Sequence, residues 1–432
     1  MAELARALTR VNATAMVVGT IIGASIFVQP SEIARHLQTP AEIMTVWLAC
    51  GVLTLFGALV CAELASAFPQ TGGMYVFMRD AFSPLAGFLW GWAMFWSMHS
   101  GIIAAIAVVF ARYAAVFIPM GEIGVRITAV VLILLLTALN YVGVRAGSRT
   151  QTAFTAAKLV AVALIVAVGV MARVTSPTTM AAARTGSVAP GREFLLAMVA
   201  GLFAYGGWHM VTYTAGETRM PARTIPFALI AGVGIVTASY VALNLVYLRI
   251  LPLDAVRSST RIAADAADAL AGQGGAAIMA TLVMMSSAGA LTGIVLTGPR
   301  VYYAMARDGL APRWLDAVHP RFDTPGRAIV LQGVWSSALA ATGAFRQLFT
   351  TVVYTEWLFF ALMAAGLVML RRRPAYNPSY RCPGYPLVPI VFLISSLAIV
   401  VNQFASTPVQ AALGLSLVAL GAPIYYLRHA HR

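Results

Sequence analysis

The chain has 432 residues, of which 60% are hydrophobic and only 10% are charged, and its mean hydropathy is +0.82. So few charged residues cannot cover the surface of a soluble protein, which excludes a soluble globular fold and indicates a polytopic membrane protein. The formal net charge of +14 does not indicate a nucleic-acid partner, because the arginines lie in short loops between apolar runs.

At about 20 apolar residues per crossing, the sequence predicts an all-α membrane protein with twelve transmembrane helices. The predicted spans are 13–37, 41–68, 83–118, 125–144, 151–172, 194–216, 225–250, 275–304, 328–344, 348–370, 386–403 and 408–427. With the N-terminus inside, 18 arginines lie on the cytoplasmic side and 10 on the outer side. This excess predicts that both termini are cytoplasmic.

The first predicted span contains VVGTIIGASIFVQP, Val17 to Pro30, with Gly19, Gly23, Ala24 and Ser25 close together. Glycine inside a helix costs about 1 kcal/mol relative to alanine, and a freed backbone group has no water partner in hydrocarbon. A break in the helix is therefore expected where backbone lines a cavity or binds a ligand. The alternative is that the small residues only allow two helices to pack closely.

The fifth predicted span contains Lys158, the only lysine in the chain. An ammonium at the membrane centre costs about 2.5–3.5 kcal/mol on insertion scales, so an intramembrane lysine is a functional candidate. The alternative is a structural strut between helices.

The sixth predicted span contains a second glycine-rich stretch, FAYGGW, Phe203 to Trp208. Paired interruptions at matching positions of two halves are typical of a transporter binding site. Gly206 follows Gly23 by 183 positions, and Glu356 of the tenth span follows Lys158 by 198. These similar offsets predict a first repeat at 1–172, an outer linker at 173–192, a second repeat at 193–371 and two peripheral spans at 372–432.

Several stretches resemble the amino acid–polyamine–organocation (APC) superfamily, and most closely its L-type amino-acid transporter branch. They include VVGTIIGASIF, CAELASAFPQTGGMYVFMRDAF, FAYGGWHMVTYTAGE and SSAGALTGIVLTGPRVYYAMARDG, and they are spread over most of the chain. The resemblance implies the leucine-transporter-like fold, in which two inverted five-helix repeats have spans 1 and 6 unwound and two further helices are peripheral.

An amino-acid substrate brings a carboxylate and an ammonium into a site of low dielectric constant, where each charge needs hydrogen bonds. The ends of broken helices supply free N–H groups for the carboxylate and free carbonyls for the ammonium. The predicted N–H donors are Gly23, Ala24 and Ser25, and the predicted carbonyls are those of Thr20, Ile21, Phe203 and Ala204. Gly206 and Gly207 leave room for the substrate side chain, and by resemblance Phe203 is the aromatic lid.

Two positions depart from the family pattern. The first-span motif usually ends Gly-Ser-Gly, whereas here it is Gly23-Ala24-Ser25, which changes the size of the carboxylate pocket. The sixth-span motif usually continues Trp-Asn, whereas here it is Trp208-His209. His209 is therefore predicted near the substrate side chain, where a titratable ring changes specificity or pH response.

The resemblance places the Lys158 ammonium where sodium-coupled relatives hold a sodium ion, between the first and eighth spans. Its expected neighbours are the carbonyls of Gly19 and Ile22 and the hydroxyl of Ser286 or Ser287. This arrangement predicts transport that does not require sodium. Glu356, in the apolar part of the tenth span, is predicted to relay a proton or bind a substrate amine, the alternative being a hydrogen bond to a neighbouring helix.

The predicted function is sodium-independent secondary transport of neutral L-amino acids across a prokaryotic plasma membrane, the cell inner membrane, by exchange or proton coupling. Short termini and loops suggest the prokaryotic origin. The alternatives are a cationic amino acid or polyamine as substrate, a channel and a nutrient sensor. The sequence argues against a cationic substrate because neither broken stretch contains an acid. It argues against an enzyme because the spans contain no metal cluster or nucleophile–base pair.

The sequence predicts no cofactor and no bound metal. The expected partners are the substrate and the lipid bilayer, and the oligomeric state stays open. In animal L-type transporters, a cysteine in the loop after the third span tethers a glycoprotein. The corresponding loop here, IPMGEIGVR, has none, since Cys50, Cys61 and Cys382 all lie in or beside spans. No disulfide-linked heavy subunit is therefore expected.

Overall fold

The computed structural model describes residues 4–172, 189–271, 274–343 and 345–429, and the side chains of residues 271, 345–354 and 429 are not among those described. The regular elements in these ranges are all helical, and an isolated β-bridge joins Leu8 to Thr218. This agrees with the predicted all-α class.

The first half of the chain forms eight α-helices. They are α1 (Arg10–Ile21), α2 (Gln29–His36), α3 (Pro40–Ala67), α4 (Met74–Ala81), α5 (Pro84–Ala93), α6 (His99–Ala114), α7 (Glu122–Tyr141) and α8 (Val144–Met171). A single 3₁₀ turn, Ser25–Phe27, lies between α1 and α2, and a π-helical turn, Met94–Met98, joins α5 to α6.

The second half begins with α9 (Gly191–Ala204), which is followed by a 3₁₀ segment, Trp208–Glu217. The remaining helices are α10 (Pro221–Ile250), α11 (Leu253–Ser258), α12 (Ile262–Ala271), α13 (Gly275–Thr297), α14 (Pro299–Arg307), α15 (Gly326–Thr342), α16 (Phe345–Leu370), α17 (Leu387–Ser406), α18 (Pro408–Ala419) and α19 (Gly421–His429), with a short 3₁₀ turn at Arg313–Asp316. Of the predicted linker 173–192, residues 173–188 lie outside the described ranges.

Within the described residues, nine helical stretches are long and apolar enough to cross a membrane. They coincide with the predicted spans two to eight, eleven and twelve. The first predicted span is missing from this set because it is broken, and the ninth because α15 has only 17 residues. The tenth corresponds to α16, whose side chains are described only from Thr355. The chain is thus a multi-pass membrane protein, and the count of twelve spans stays a prediction.

Both predicted interruptions are present. α1 ends at Ile21, and the chain runs through a non-helical Ile22 (φ −74°, ψ 86°) before the 3₁₀ turn begins at Ser25. α9 ends at Ala204, and Gly207 adopts φ +97° before the 3₁₀ segment. A side chain is strained at that φ, so glycine is required at this point.

The two interruptions are the centre of the packing. All residues of α1 from Ala15 to Ile21 are buried, and α1 packs against α8, α10, α13 and the 3₁₀ segment of the second interruption. Large buried rings, among them Trp47, Trp208, Tyr205 and Tyr240, surround this centre. A break in the middle of such a core exposes backbone groups to protein rather than to lipid.

A fully buried ion pair lies close to the end of the second interruption. Both carboxylate oxygens of Glu217 accept hydrogen bonds from Arg300, at 2.7 and 2.8 Å, and neither side chain is exposed. Beside it, the Leu8 N–H donates to the Glu217 carbonyl and the Arg219 N–H to the Leu8 carbonyl, each at 2.9 Å. The N-terminal segment is therefore fastened to the segment that carries Glu217.

Other ion pairs and hydrogen bonds of arginines join residues that are predicted to lie on the same side of the membrane. Arg371 binds Glu63, and Arg79 binds Asp308, all on the predicted inner side. On the predicted outer side, Arg257 donates to the Leu37 carbonyl at 2.9 Å. The contacts are consistent with the predicted alternation of loops.

Arg300→Ala should destabilise the folded protein strongly, because it leaves the Glu217 carboxylate buried without its partner. Removing one member of a buried pair costs about 3–5 kcal/mol. Arg313, which is exposed, is the matched control, and Arg313→Ala should be close to neutral. Thermal unfolding of the purified proteins in detergent measures both. Equal melting temperatures for the two variants would contradict this account of the pair.

Candidate functional site

A cavity of about 350 Å³ lies between the two interruptions. Eight of the ten residues predicted for substrate binding line it: Thr20, Ile21, Gly23, Ala24, Ser25, Phe203, Gly206 and Gly207. The half-exposed Arg112 side chain and the exposed Val28 also line it and mark where it opens. Arg112 belongs to the predicted outer side, so the cavity opens towards that side.

The carbonyls at the end of α1 lose their helical partners because the helix stops, and neighbouring groups replace most of those partners. The Ile22 N–H donates to the Val18 carbonyl, and the Gly23 N–H donates to the Ile21 carbonyl, both at 2.8 Å. Within the described residues, the Thr20 carbonyl receives no hydrogen bond. It faces Gly207, where an added Cβ would lie only 3.1 Å from this oxygen.

Tyr240 of α10 links the two interruptions from behind. Its hydroxyl lies 3.1 Å from the Ile21 carbonyl and 3.0 Å from the Ala204 carbonyl, and its single proton is shared between them. Both carbonyls were predicted to bind a substrate ammonium. The structure instead gives them an internal donor, and Ala204 does not line the cavity. The sequence gives no sign that a tyrosine in an apolar span will bridge two broken helices in this way.

A second link between the interruptions comes from Thr20. Its hydroxyl lies 3.2 Å from the Gly207 carbonyl and also reaches the Met16 carbonyl at 2.7 Å. The close approach of Thr20 and Gly207 is possible because Gly207 has no side chain. The two stretches predicted separately from sequence therefore form one surface.

The other end of this surface offers N–H groups. The 3₁₀ turn begins at Ser25, and the first N–H groups of any helical turn have no acceptor within it. Ala24 and Ser25 lie at this point and line the cavity. Gly23 differs from the prediction because its N–H is already bonded to Ile21. Within the described residues the N–H groups of Ala24 and Ser25 donate no backbone hydrogen bond, so a carboxylate beside them would meet free donors.

Lys158 of α8 is buried against the first interruption. Its ammonium donates to the carbonyls of Gly19 at 3.2 Å, Ile22 at 2.5 Å and Ser286 at 3.1 Å. Three acceptors match the three donors of an ammonium, and Gly19 and Ile22 are the neighbours predicted.

The serines of α13 depart from the prediction. The Ser286 backbone carbonyl, and not its hydroxyl, binds Lys158, while the Ser286 hydroxyl donates to the carbonyls of Gly23 at 3.0 Å and Ile22 at 3.2 Å. The Ser287 hydroxyl is buried and has no hydrogen-bond partner among the described residues. The sequence could not show which oxygen of Ser286, that of the hydroxyl or that of the backbone carbonyl, would contact Lys158.

His209 does not line the cavity. It is fully buried among the rings of Trp90, Trp208, Tyr213 and Phe360, at centroid distances of 5.0–5.8 Å. Its Nε2 lies 3.4 Å from a carboxylate oxygen of Glu356, which does line the cavity. His209 thus lies behind the wall of which Glu356 is part.

Much of the remaining cavity wall is apolar and was not predicted as part of the site. It contains the α6 residues Ile102, Ile106 and Val109, and the rings of Trp208, Trp357 and Phe360. Trp357 and Phe360 lie one and four positions after Glu356, on one face of α16, so that spacing is a sequence signal for them. The Nε2–H of His99 in α6 donates to the Ile294 carbonyl at 3.0 Å, which fits a contact between helices.

Known proteins resemble the chain over almost its whole length. Residues 8–426 match the amino acid permease family. The human cystine/glutamate transporter is 29% identical over 98% of this chain and 85% of its own length. The human b(0,+)-type amino acid transporter 1 is 29% identical over 99% and 89%. The rat large neutral amino acids transporter small subunit 2 is 30% identical over 96% and 79%.

The chain belongs to the amino acid permease family. It is a membrane protein of the APC superfamily, in its L-type transporter branch, as the motifs indicated. These relatives are transporters, a role that is not enzymatic. Their names cover acidic, neutral and other amino acids, so they leave the substrate of this permease open.

Gly23→Val should leave the permease folded but abolish amino-acid binding. A Cβ at Gly23 meets nothing closer than the Ala290 methyl at 3.8 Å, so the added side chain fits the protein and fills the cavity. Gly234→Val, on the exposed side of α10 where a Cβ meets nothing, is the control and should bind normally. Gly206→Val should also lose binding, although its Cβ is tighter, 3.2 Å from the Phe203 carbonyl.

Binding of a labelled amino-acid panel to purified protein, with size-exclusion profiles as the test of folding, measures this. Gly19→Val should instead reduce the amount of folded protein, because its side chain would collide with Gln151 and Thr155. Near-normal affinity in both Gly23→Val and Gly206→Val would reject the cavity as the site.

Proposed function

We propose that this permease is a sodium-independent secondary active transporter of L-amino acids, working by exchange or by proton coupling in a prokaryotic plasma membrane. The observation that carries the proposal is the cavity between the two interruptions. Free N–H groups at Ala24 and Ser25 suit an α-carboxylate, and the open Thr20 carbonyl beside Gly207 suits an α-ammonium. Every amino acid carries both an α-carboxylate and an α-ammonium, so these backbone groups select amino acids as a class.

Phe203 fits the role of a lid. It lines the cavity and its side chain is only partly buried, which leaves it room to move over the substrate. A lid acts on a conformational step and therefore on turnover more than on affinity.

Sodium independence follows from Lys158. A sodium ion between the first and eighth spans would need the same carbonyl oxygens that the ammonium now uses. The position is already filled by a covalently attached cation. Both Lys158 and Glu356 lie in the membrane region and can exchange a proton, which makes them the candidates for proton coupling.

The proposed architecture is twelve spans in two inverted five-helix repeats, with both termini cytoplasmic. The repeats are 1–172 and 193–371, the linker is 173–192, and the peripheral spans lie in 372–432. Breaks in α1–α2 and in α9 with its 3₁₀ segment, 183 positions apart, support this division.

We propose that the permease works without a cofactor, a metal or a disulfide-linked heavy subunit. One relative is named a small subunit, but the three cysteines here are buried and unpaired. Burial, and next the Glu63 carboxylate, raise the pKa of the Cys382 thiol to about 12. The reactive thiolate is therefore scarce at neutral pH.

A second candidate substrate class has an observation in its favour. The sequence favoured neutral amino acids because neither broken stretch contains an acid. The cavity is also lined by Glu356 of α16, however, which lies outside both broken stretches. This observation favours amino acids with a cationic side chain.

Uptake into proteoliposomes should be unchanged when choline replaces sodium, because Lys158 supplies the cation at the first interruption. The assay is initial uptake of a labelled amino-acid panel in the two salts, with empty liposomes as the control. Strong sodium dependence would mean that the ammonium does not fill the cation site.

Uptake into the same vesicles distinguishes exchange from proton coupling. Uptake that rises when unlabelled substrate is loaded inside supports exchange. Net uptake that follows an imposed pH gradient, and that flattens in Lys158→Ala while exchange is partly retained, supports proton coupling. Vesicles that accumulate no amino acid under any of these conditions would overturn the proposed function.

A further inference from the structure

We propose that Glu356 determines substrate specificity, and that the permease selects an amino acid whose side chain ends in an ammonium, such as L-lysine or L-ornithine. This inference rests on the proposed function and names the substrate class of the same cavity. It assigns the carboxylate of Glu356 to the side-chain ammonium, and leaves the α-carboxylate and α-ammonium to the two interruptions.

The buried glutamates of the described core differ in how they are neutralised. Glu217 receives two hydrogen bonds from Arg300, and Glu63 receives two from Arg371. Glu356 has no arginine or lysine within ion-pair distance among the described residues, and its one ion-pair neighbour is His209 at 3.4 Å. A buried carboxylate without a cation is costly, so a cationic ligand fits it.

His209 does not take the place of that cation. Neither of its ring nitrogens makes a hydrogen bond within the described residues, and the ring lies edge-on to four aromatic rings. These rings pack around the imidazole, which lies beside Glu356 and does not line the cavity. The open side of the carboxylate is the cavity, where 12% of the side chain is exposed.

The wall around Glu356 suits the remainder of such a side chain. Trp357 and Phe360 of α16 and Trp208 after the second interruption line the same cavity. Their faces pack against a chain of methylene groups, and an ammonium near an aromatic face gains further from cation–π attraction. The other charged residue on the wall, Arg112, is half exposed at the mouth and lies 3.5 Å from Glu122.

The N–H groups of Ala24 and Ser25 separate amino acids from plain polyamines. A polyamine has no carboxylate, so it would leave these donors without an acceptor. The site therefore favours a molecule with one carboxylate and two ammonium groups over a molecule with ammonium groups alone.

The test compares L-lysine with L-norleucine, which has the same aliphatic stem but no terminal ammonium. Initial uptake of both labelled compounds is measured in proteoliposomes for wild type, Glu356→Gln and the control Glu32→Gln, an exposed glutamate paired with Arg35. Wild type and Glu32→Gln should prefer lysine. Glu356→Gln should lower the lysine-to-norleucine ratio by roughly tenfold to a hundredfold, the range expected for a hydrogen bond to a charged group.

Competition on wild-type protein answers the question even where Glu356→Gln does not fold. Unlabelled L-lysine should displace a labelled substrate at lower concentration than L-norleucine, and putrescine should compete weakly. Stronger competition by norleucine overturns this inference while the proposed function stands. An equal loss of lysine and norleucine uptake in folded Glu356→Gln also overturns it. Failure of every amino acid to compete would overturn the proposed function as well.

Discussion

The contact between the Lys158 ammonium and the broken first span is the constraint on which the rest of the site depends. Carbonyl groups at the end of α1 must find donors because the helix stops in the membrane interior. One ammonium satisfies Gly19, Ile22 and Ser286 together and so ties α8, the first interruption and α13 into one unit. It also places a cation at the negative end of α1. A sodium ion could do the same only while it stays bound, whereas a side chain does so permanently.

The second interruption packs against the first. The Tyr240 hydroxyl bridges the ends of α1 and α9, and the Thr20 hydroxyl reaches the carbonyl of Gly207. These internal bonds occupy the carbonyls of Ile21, Ala204 and Gly207. The Thr20 carbonyl and the N–H groups of Ala24 and Ser25 have no backbone partner within the described residues, and all three residues line the cavity. The proposed binding of the amino-acid carboxylate and ammonium rests on these groups.

Much of this was predictable because a break in a membrane helix leaves a mark in the sequence. The glycines of both interruptions and the lone Lys158 are such marks, and the structure brings them together as expected. Tyr240 could not be predicted, since a tyrosine in an apolar span looks like packing. His209 was predicted near the substrate side chain because it stands where the family motif has asparagine, but it does not line the cavity and lies beside Glu356. Its neighbour Glu356 lies 147 positions later, and only the fold shows that the two meet.

The most direct test of the central claim is hydrogen–deuterium exchange of residues 19–28 in wild type and in Lys158→Met, in the absence of sodium. If the ammonium holds the first interruption, these amides should exchange markedly faster in the variant, while those of α15, which lies apart from this contact, should not change. Equal exchange of residues 19–28 in the two proteins would contradict the account, because the interruption would then keep its structure without Lys158.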